Sequence, residues 1–556
     1  VLVVSTDPAH SLGDALDRQL SGDPLQVARN LLAAELDVER ALERWLGERR
    51  EIFKEIAERG TYLDEEDVDR LLGLSLPGAD ELMGMLELAR LARGSSVQEV
   101  IVDTAPTAHT LRLLQVPSLL RRFARILDAL EERHRVMAER FGGIHRLDRA
   151  DELIASIEEE GRDLAEHLRE RASFTWVLLP EALAIAETRD ALAALDEAGI
   201  RVEELIVNRV IPSRHREALA EIQETFGDRN LRFLPEFDKE PRGLPNLRKL
   251  AKALSAEDPL RSVTREVAPS PAKRGRVGEG SPPWLDDLAP PNLRLLLFGG
   301  KGGVGKTTCA AATALLLAEN RPDRRILLLS TDPAHSLADV LDLPLGDDER
   351  PILHGLKARE LDAAAVFESW RDRHRGDPTL DPFLEITPPG LDELVALSTI
   401  LDAVQEEDLA IVDTAPTGHA LRLLESPELV LEWDRALLAI LLKYREAVSL
   451  GSLAAELVEL SKSLKRLLAL LRDPDRARFV AVTRDAELPR RETVRLLEEL
   501  KRLSIDVPLV LVNASDQVRT GYGDGCAIMT APAVYPPPRG AEALAGWART
   551  WKMHEP

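Results

Sequence analysis

Leu293-Arg-Leu-Leu-Leu-Phe298-Gly-Gly300-Lys301-Gly302-Gly303-Val-Gly305-Lys306-Thr307-Thr308 reads as an apolar strand, a glycine-rich turn and the opening of a helix. Such a turn lets successive backbone N–H groups converge on phosphate oxygens at a helix N-terminus. Side chains would block that approach, so glycine is needed at Gly300, Gly302, Gly303 and Gly305 on steric grounds. In this pattern Lys306 neutralises the β- and γ-phosphates, the Thr307 hydroxyl is placed to ligate Mg²⁺, and Thr308 completes the motif. The expected ligands are therefore ATP and Mg²⁺.

Outward from the loop, the chain repeats itself. Ser330-Thr-Asp332-Pro-Ala-His335-Ser-Leu337 follows the apolar run Ile326–Leu329, and Ser5-Thr-Asp7-Pro-Ala-His10-Ser-Leu12 follows Val1–Val4, at an offset of 325. Asp103-Thr-Ala-Pro-Thr107-Ala-His109 is repeated as Asp413-Thr-Ala-Pro-Thr417-Gly-His419. Glu187-Thr188 pairs with Glu492-Thr493, Asn208 with Asn513, and Pro235 with Pro532. Short motifs in one order, separated by divergent sequence, indicate a duplicated domain. The phosphate loop occurs once, in the second copy. The repeat places its counterpart ahead of Val1, and the first copy opens inside an apolar strand. The expectation is that the first copy lacks a strand, a loop and a helix through truncation; the alternative is a first half that evolved without a phosphate loop.

The expected architecture is α/β. Apolar runs at 1–4, 100–102, 175–179, 205–207, 326–329, 410–412, 479–482 and 509–512 alternate with helical patterns, which predicts mainly parallel sheets. Leu-, Arg- and Glu-rich stretches at 30–95, 118–172, 355–405 and 428–475 predict an inserted helical subdomain in each half. The expected domains are 1–254 and 293–556, joined by a semi-extended tether over 255–292 that is rich in Pro, Gly and Ser. The net charge of −24 argues against nucleic acid as a partner. No apolar stretch is long enough to span a bilayer. Two cysteines in 556 residues make no disulfide framework, so a reducing cytoplasm is expected.

Taken together, the Gly-Lys-Gly-Gly-Val-Gly-Lys-Thr-Thr loop and the two copies of Ser-Thr-Asp-Pro-Ala-His-Ser-Leu and Asp-Thr-Ala-Pro-Thr-x-His resemble the ArsA family. These are the ATPases that drive arsenite pumps, related to the eukaryotic targeting ATPase for tail-anchored membrane proteins. The resemblance runs from Val1 to about Trp551 and implies two pseudo-symmetric P-loop NTPase domains of the deviant Walker A class, acting as an intramolecular pseudo-dimer. It implies that Lys301 reaches across an interface to the other half's nucleotide, although a solvated loop lysine is the plain alternative. It also implies that Asp332 orients the attacking water and that Asp413 meets the Mg²⁺ shell, each reaching the metal through water. Asp7 and Asp103 take these parts in the first half.

An acidic residue just after a strand lies where ligands bind in α/β folds, but Asp7 and Asp332 also suit helix N-caps. Asn208 and Asn513 match adenine-contacting residues, and Pro235 and Pro532 an adenine-side loop; ordinary turn chemistry explains them as well. The implied activity is ATP hydrolysis energising export of arsenite, antimonite or a related oxyanion through a membrane permease, at the inner face of the membrane. The alternative is a targeting chaperone or switch whose client is a hydrophobic helix.

The load is less well specified than the motor. A thiophilic metalloid calls for thiolates, and Cys309 reads as core while Cys526 stands alone. Pro77-Gly-Ala-Asp80-Glu81 and Pro389-Gly-Leu-Asp392-Glu393 carry carboxylates where soft ligands are needed. His109 and His419 are the remaining metalloid candidates, with a structural or coupling role as the alternative.

Overall fold

The computed structural model describes every residue except 7–10, 61–62, 75–78, 95–96, 105–115, 141–147, 238, 256–281, 333–335, 375–390, 416, 444–450, 518–520, 523–525 and 555–556. The chain forms two compact units, Val1–Thr61 with Ala79–Pro271, and Tyr62–Gly78 with Ala272–Pro556.

In the first unit, β1 (Leu2–Ser5), β2 (Leu25–Ala28), β3 (Leu31–Glu35) and β4 (Val100–Asp103) form a sheet in the order β2-β3-β1-β4. A separate parallel sheet holds β5 (Phe174–Leu178), β6 (Val202–Val210) and β7 (Leu231–Pro235) in sequence order. Helices Val38–Gly60, Ala79–Gly94, Val116–Arg140 and Arg149–Glu170 make the helical subdomain. The last of these starts on a capping box, in which Asp148 accepts from the Ala150 and Asp151 amides while Asp151 accepts from the Asp148 amide.

The second unit has a nine-stranded sheet of β8 (Leu295–Gly299), β9 (Ile326–Ser330), β10 (Arg350–Leu353), β11 (Leu356–Glu360), β12 (Leu409–Asp413), β13 (Ala477–Arg484), β14 (Leu509–Asn513), β15 (Ala527–Ala531) and β16 (Lys552–His554). Its order is β10-β11-β9-β12-β8-β13-β14-β15-β16, antiparallel only at the outer pairs β10–β11 and β15–β16. The central strands β8, β9, β12 and β14 are buried at every residue. Helices cover both faces of such a sheet, so its strands read as unbroken apolar runs rather than alternating ones. Helix Lys306–Asn320 is Ala- and Leu-rich and buried on nearly all sides, which lets it lie close against the strands.

The first unit repeats this order with its centre open. β2-β3-β1-β4 matches β10-β11-β9-β12, and β5-β6-β7 matches β13-β14-β15; among the described residues nothing matches β8. The same residues report the difference. Ile101, Val102 and Val177 are 48%, 37% and 55% exposed, whereas their repeat counterparts Ile411, Val412 and Val482 are fully buried. Beside β8 these side chains are covered; without it they form two bare sheet edges.

Three expectations need correction. Residues 31–35 and 356–360, placed in helical stretches, are strands: Leu356-Lys-Ala-Arg-Glu360 alternates buried and half-buried, a period of two that the neighbouring helical pattern masks. Trp284–Leu288, placed in the tether, is a short helix whose Trp284, Leu285 and Leu288 enter the second-half core. Trp284 stacks on Trp551 at 5.5 Å, and Trp551 meets Trp547 edge-on at 5.0 Å. Finally, helix Glu65–Leu72 belongs to the second compact unit rather than to the first domain. Asp64 caps it by accepting from the Asp67 amide, and Lys443 donates to both carboxylates.

Candidate nucleotide site

The loop is shaped by positive backbone angles that only glycine adopts freely: φ is +152° at Gly300, +73° at Gly303 and +92° at Gly305. It also lies hard against its neighbours. A β-carbon on Gly300 would come within 2.0 Å of the Val482 carbonyl oxygen, and one on Gly305 within 2.3 Å of Asn513 Nδ2. Helix Lys306–Asn320 starts immediately after the turn, so its unpaired N–H groups face the loop.

Asp413, at the end of β12, is fully buried among Lys306, Thr307 and Ser330. Ser330 Oγ donates to Asp413 Oδ2 at 3.3 Å, and Thr307 is a second hydrogen-bond donor to the same carboxylate. Thr307 Oγ1 also lies 3.0 Å from Ser336 Oγ. Burial pushes the Asp413 carboxyl up to about 7; Lys306 pulls it down, Asp332 pushes it up, and the two hydroxyls pull it down further. Its Oδ1 is buried with no hydrogen-bond partner among the described residues. A buried, unsatisfied carboxylate oxygen is costly, and it suits a site that receives a cation. Asp332 is half-buried, its amide donating to Ser330 Oγ at 3.4 Å.

Lys301 is one-third exposed and pairs with Glu492, a carboxylate only 4% exposed on helix Glu487–Arg502. Asn513 braces the loop from below: its Nδ2 donates to the Val304 carbonyl at 2.7 Å and its Oδ1 accepts from the Ala514 amide at 2.7 Å. Gly302 and Gly303 are exposed, and Thr308 is half-buried one residue beyond Thr307. The Pro532 carbonyl accepts from Trp547 Nε1 at 3.0 Å, tying that segment to the core.

The first half reproduces part of this. Ser5 Oγ donates to Asp103 Oδ2 at 3.2 Å, and the Thr6 amide donates to the Asp103 carbonyl at 2.9 Å, as Thr331 does to Asp413 at 2.9 Å. Asn208 Oδ1 accepts from the Arg209 amide, and Arg209, like Ala514, has a positive φ. Pro235 ends β7 and is buried. Asp103, however, is exposed. Asp7 and His109 lie outside the described residues, as does the side chain of His419, whose backbone sits in helix Thr417–Lys443.

Two features escaped the motif reading. Glu360 Oε1 accepts from the Leu337 and Ala338 amides at 2.6 and 3.0 Å, pinning the helix that follows the Asp332 segment. Glu35 does the same for Gly13 at 2.7 Å. The offset of 325 that aligns the Ser-Thr-Asp segments also aligns these two acids, so the repeat carried the signal. The partnership of Lys301 with Glu492 joins loop to helix and has no sequence signature.

Cys309 is buried in the helix below the loop, with its thiol pushed far up by burial, and Cys526 Sγ donates to the Val507 carbonyl at 3.3 Å. Among the described residues no cluster of three or more His, Cys, Asp or Glu could hold a metal ion. No described helix is long and apolar enough to cross a membrane.

Comparison with known proteins agrees with this geometry. A family model described as "Anion-transporting ATPase" matches residues 1–256 and 293–519. The chain is 26% identical to "ATPase ARSA1" of Chlamydomonas reinhardtii, covering 92% of this chain and 74% of that protein. It is also 26% identical to "Putative arsenical pump-driving ATPase" of Halobacterium salinarum, over 92% of this chain and 81% of that protein. "ATPase GET3" of Zygosaccharomyces rouxii is 31% identical over 41% of this chain and 77% of its own length. With one phosphate loop on a nine-stranded sheet and a second, partial copy of the same order, the chain belongs to the anion-transporting ATPase family, here as two repeated P-loop NTPase domains.

Proposed function

We propose that the second half binds ATP on the loop Gly299–Thr308 and hydrolyses it to ADP and phosphate, driving a change that a membrane partner uses. The observation that carries this is Asp413: a fully buried carboxylate with one oxygen unpartnered, set between Lys306 and the Thr307 and Ser330 hydroxyls. Thr307 and Asp413 offer only oxygen donors, which fits Mg²⁺, a hard cation. When bound, Mg²⁺ would neutralise charge on the β- and γ-phosphates.

The chain's own residues supply the rest. The loop amides and Lys306 hold the phosphates, and the Asp332 carboxylate accepts a hydrogen bond from the attacking water and sets its line of approach. Asn513 holds the loop to β14 through the Val304 carbonyl. Lys301 adds positive charge to a phosphate chain once it leaves Glu492. Glu360 keeps the segment after Asp332 in register with β11.

For the load, we favour energising export of arsenite, antimonite or a related oxyanion through a membrane permease. The relative named as an arsenical pump-driving ATPase spans both halves, as does the protein from Chlamydomonas. The second reading, targeting of a hydrophobic helix, draws on the 31% identity to a GET3 protein within one half and on the placement of the two cysteines away from any thiolate cluster. Metalloid tolerance separates them. Cells expressing the protein with an arsenite permease gain tolerance if the first reading holds. No gain, ATPase turnover indifferent to metalloid, and Lys306-dependent co-purification of a helical client would replace it with the second.

A further inference from the structure

We propose that Glu492 is a positioning residue that holds Lys301 away from the nucleotide until a phosphate chain competes it off. This rests on the ATPase reading above and adds to it a device that responds to which nucleotide is bound.

Lys301 and Glu492 come from different elements, the glycine turn after β8 and the helix after β13, and they meet because those strands are neighbours. Glu492 is 4% exposed and Lys301 31%. A carboxylate buried to that degree needs compensating charge, and the loop lysine provides it. On the same helix, Arg490 and Arg491 each pair with Glu487 at 3.1 Å.

The other copy keeps the same acid. Glu187 occupies the matching place on helix Ala182–Glu197. The threonine after each acid donates to the carbonyl four residues before it, Thr188 to Ala184 at 2.6 Å and Thr493 to Pro489 at 2.7 Å. The two acids therefore sit at the same place on their helices, Glu187 half-buried and Glu492 buried.

Competition follows from charge. Paired with one carboxylate, Lys301 is held by a single negative charge at short range. The terminal phosphates of ATP carry more charge than that, and ADP has lost the γ-phosphate. Lys301 accordingly leaves Glu492 when ATP is bound and returns after hydrolysis. Glu492 sets the threshold for that exchange without touching substrate.

The test reads Lys301 directly. The full chain, without nucleotide, is treated with a small acylating reagent, and modification of Lys301 is followed by peptide mass spectrometry. We expect Glu492→Gln to raise the Lys301 labelling rate about fivefold over the unaltered protein, the population effect of a partly buried ion pair. Glu492→Asp, which keeps the charge on a shorter arm, falls between the two and serves if the Gln variant does not fold. Equal labelling in all three proteins would overturn the proposal.

A second arm measures turnover. Glu492→Gln should change kcat/KM about threefold or more when Lys301 is present and leave it unchanged in a Lys301→Met background. An equal change in both backgrounds assigns Glu492 a merely structural role and also overturns it. Failure of the ATPase reading looks different: neither hydrolysis nor ATP protection of Lys301 occurs, and Lys306→Ala alters nothing, whatever the labelling difference without nucleotide.

Discussion

Replacing Asp413 with asparagine should make the nucleotide-free protein more stable while disabling it, and the gain should depend on pH. Burial raises the Asp413 carboxyl from 3.8 to about 7, so the folded state prefers it protonated. Below 3.8 both folded and unfolded chains carry the proton, and the residue costs nothing. As pH rises from there, the unfolded chain ionises first and folding loses stability, until the folded carboxyl also ionises near 7. The full penalty above that point is about 4 kcal/mol, from 1.36 kcal/mol per pH unit of separation.

Asparagine keeps the shape and can still accept from Ser330 and Thr307, but it has no charge to bury. Its advantage over aspartate should therefore be larger at about pH 8 than at about pH 5, by about 2.7 kcal/mol. Urea unfolding at both pH values, followed by tryptophan fluorescence, measures this. Trp284, Trp547 and Trp551 pack in the second-half core and make the signal sensitive to that half. Other titrating groups cancel in the difference between variants. A gain that is absent, or equal at the two pH values, would refute the claim that desolvation dominates at this residue. Hydrolysis should meanwhile fall by about two orders of magnitude or more.

Further expectations concern the scaffold. Lys306→Ala should abolish measurable binding of a fluorescent ATP analogue, read by titration, since no other buried cation is described at the mouth of the loop. Gly300→Ala adds a β-carbon 2.0 Å from a backbone oxygen at φ +152°; strain alone costs about 1–3 kcal/mol, and thermal melts should show the loss with nucleotide absent. Glu360→Gln weakens the acceptor for two buried amides, for an expected cost of about 1–3 kcal/mol by chemical denaturation. Fusing a copy of residues 292–325 ahead of Val1 should cover Ile101, Val102 and Val177. Together these are worth about 3 kcal/mol, read as a higher melting temperature and less binding of an apolar dye.

Most of the architecture was legible because the parallel strands are buried on both faces and announce themselves as apolar runs. β8, β9, β12 and β14 all fall on such runs. The elements that were missed obey other rules. β3 and β11 lie near the sheet edge beside helix-rich sequence; β11 alternates, and β3 runs from half-buried to buried without a period of two to mark it. Trp284–Leu288 sits among prolines, and only the stacked Trp551, far away in sequence, explains why it packs into the core. At the site, the glycines, Lys306 and Asp413 were readable because each does one task that few residue types can do. Glu360 was recoverable from the repeat alone, and the pairing of Lys301 with Glu492 was not recoverable at all, since it depends on which strands lie side by side.

The two Asp-Thr-Ala-Pro-Thr copies show how far a motif can be trusted. Asp103 and Asp413 end equivalent strands, accept from equivalent serines at 3.2 and 3.3 Å, and receive equivalent backbone bonds from the following threonines. Yet Asp103 is exposed and Asp413 fully buried. The difference lies in what stands beside them: β8, its loop and the buried helix flank Asp413, and among the described residues nothing equivalent flanks Asp103. Without that wall Asp103 stands exposed, and among the described residues of its unit nothing corresponds to Lys306 or Thr307. The carboxylate alone therefore does not make a nucleotide site; its chemistry is conferred by the neighbouring strand. A strand, loop and helix placed next to β4 should thus shield Asp103 from solvent before it changes anything else, and carbodiimide labelling of Asp103 in the fused and unfused proteins would detect it.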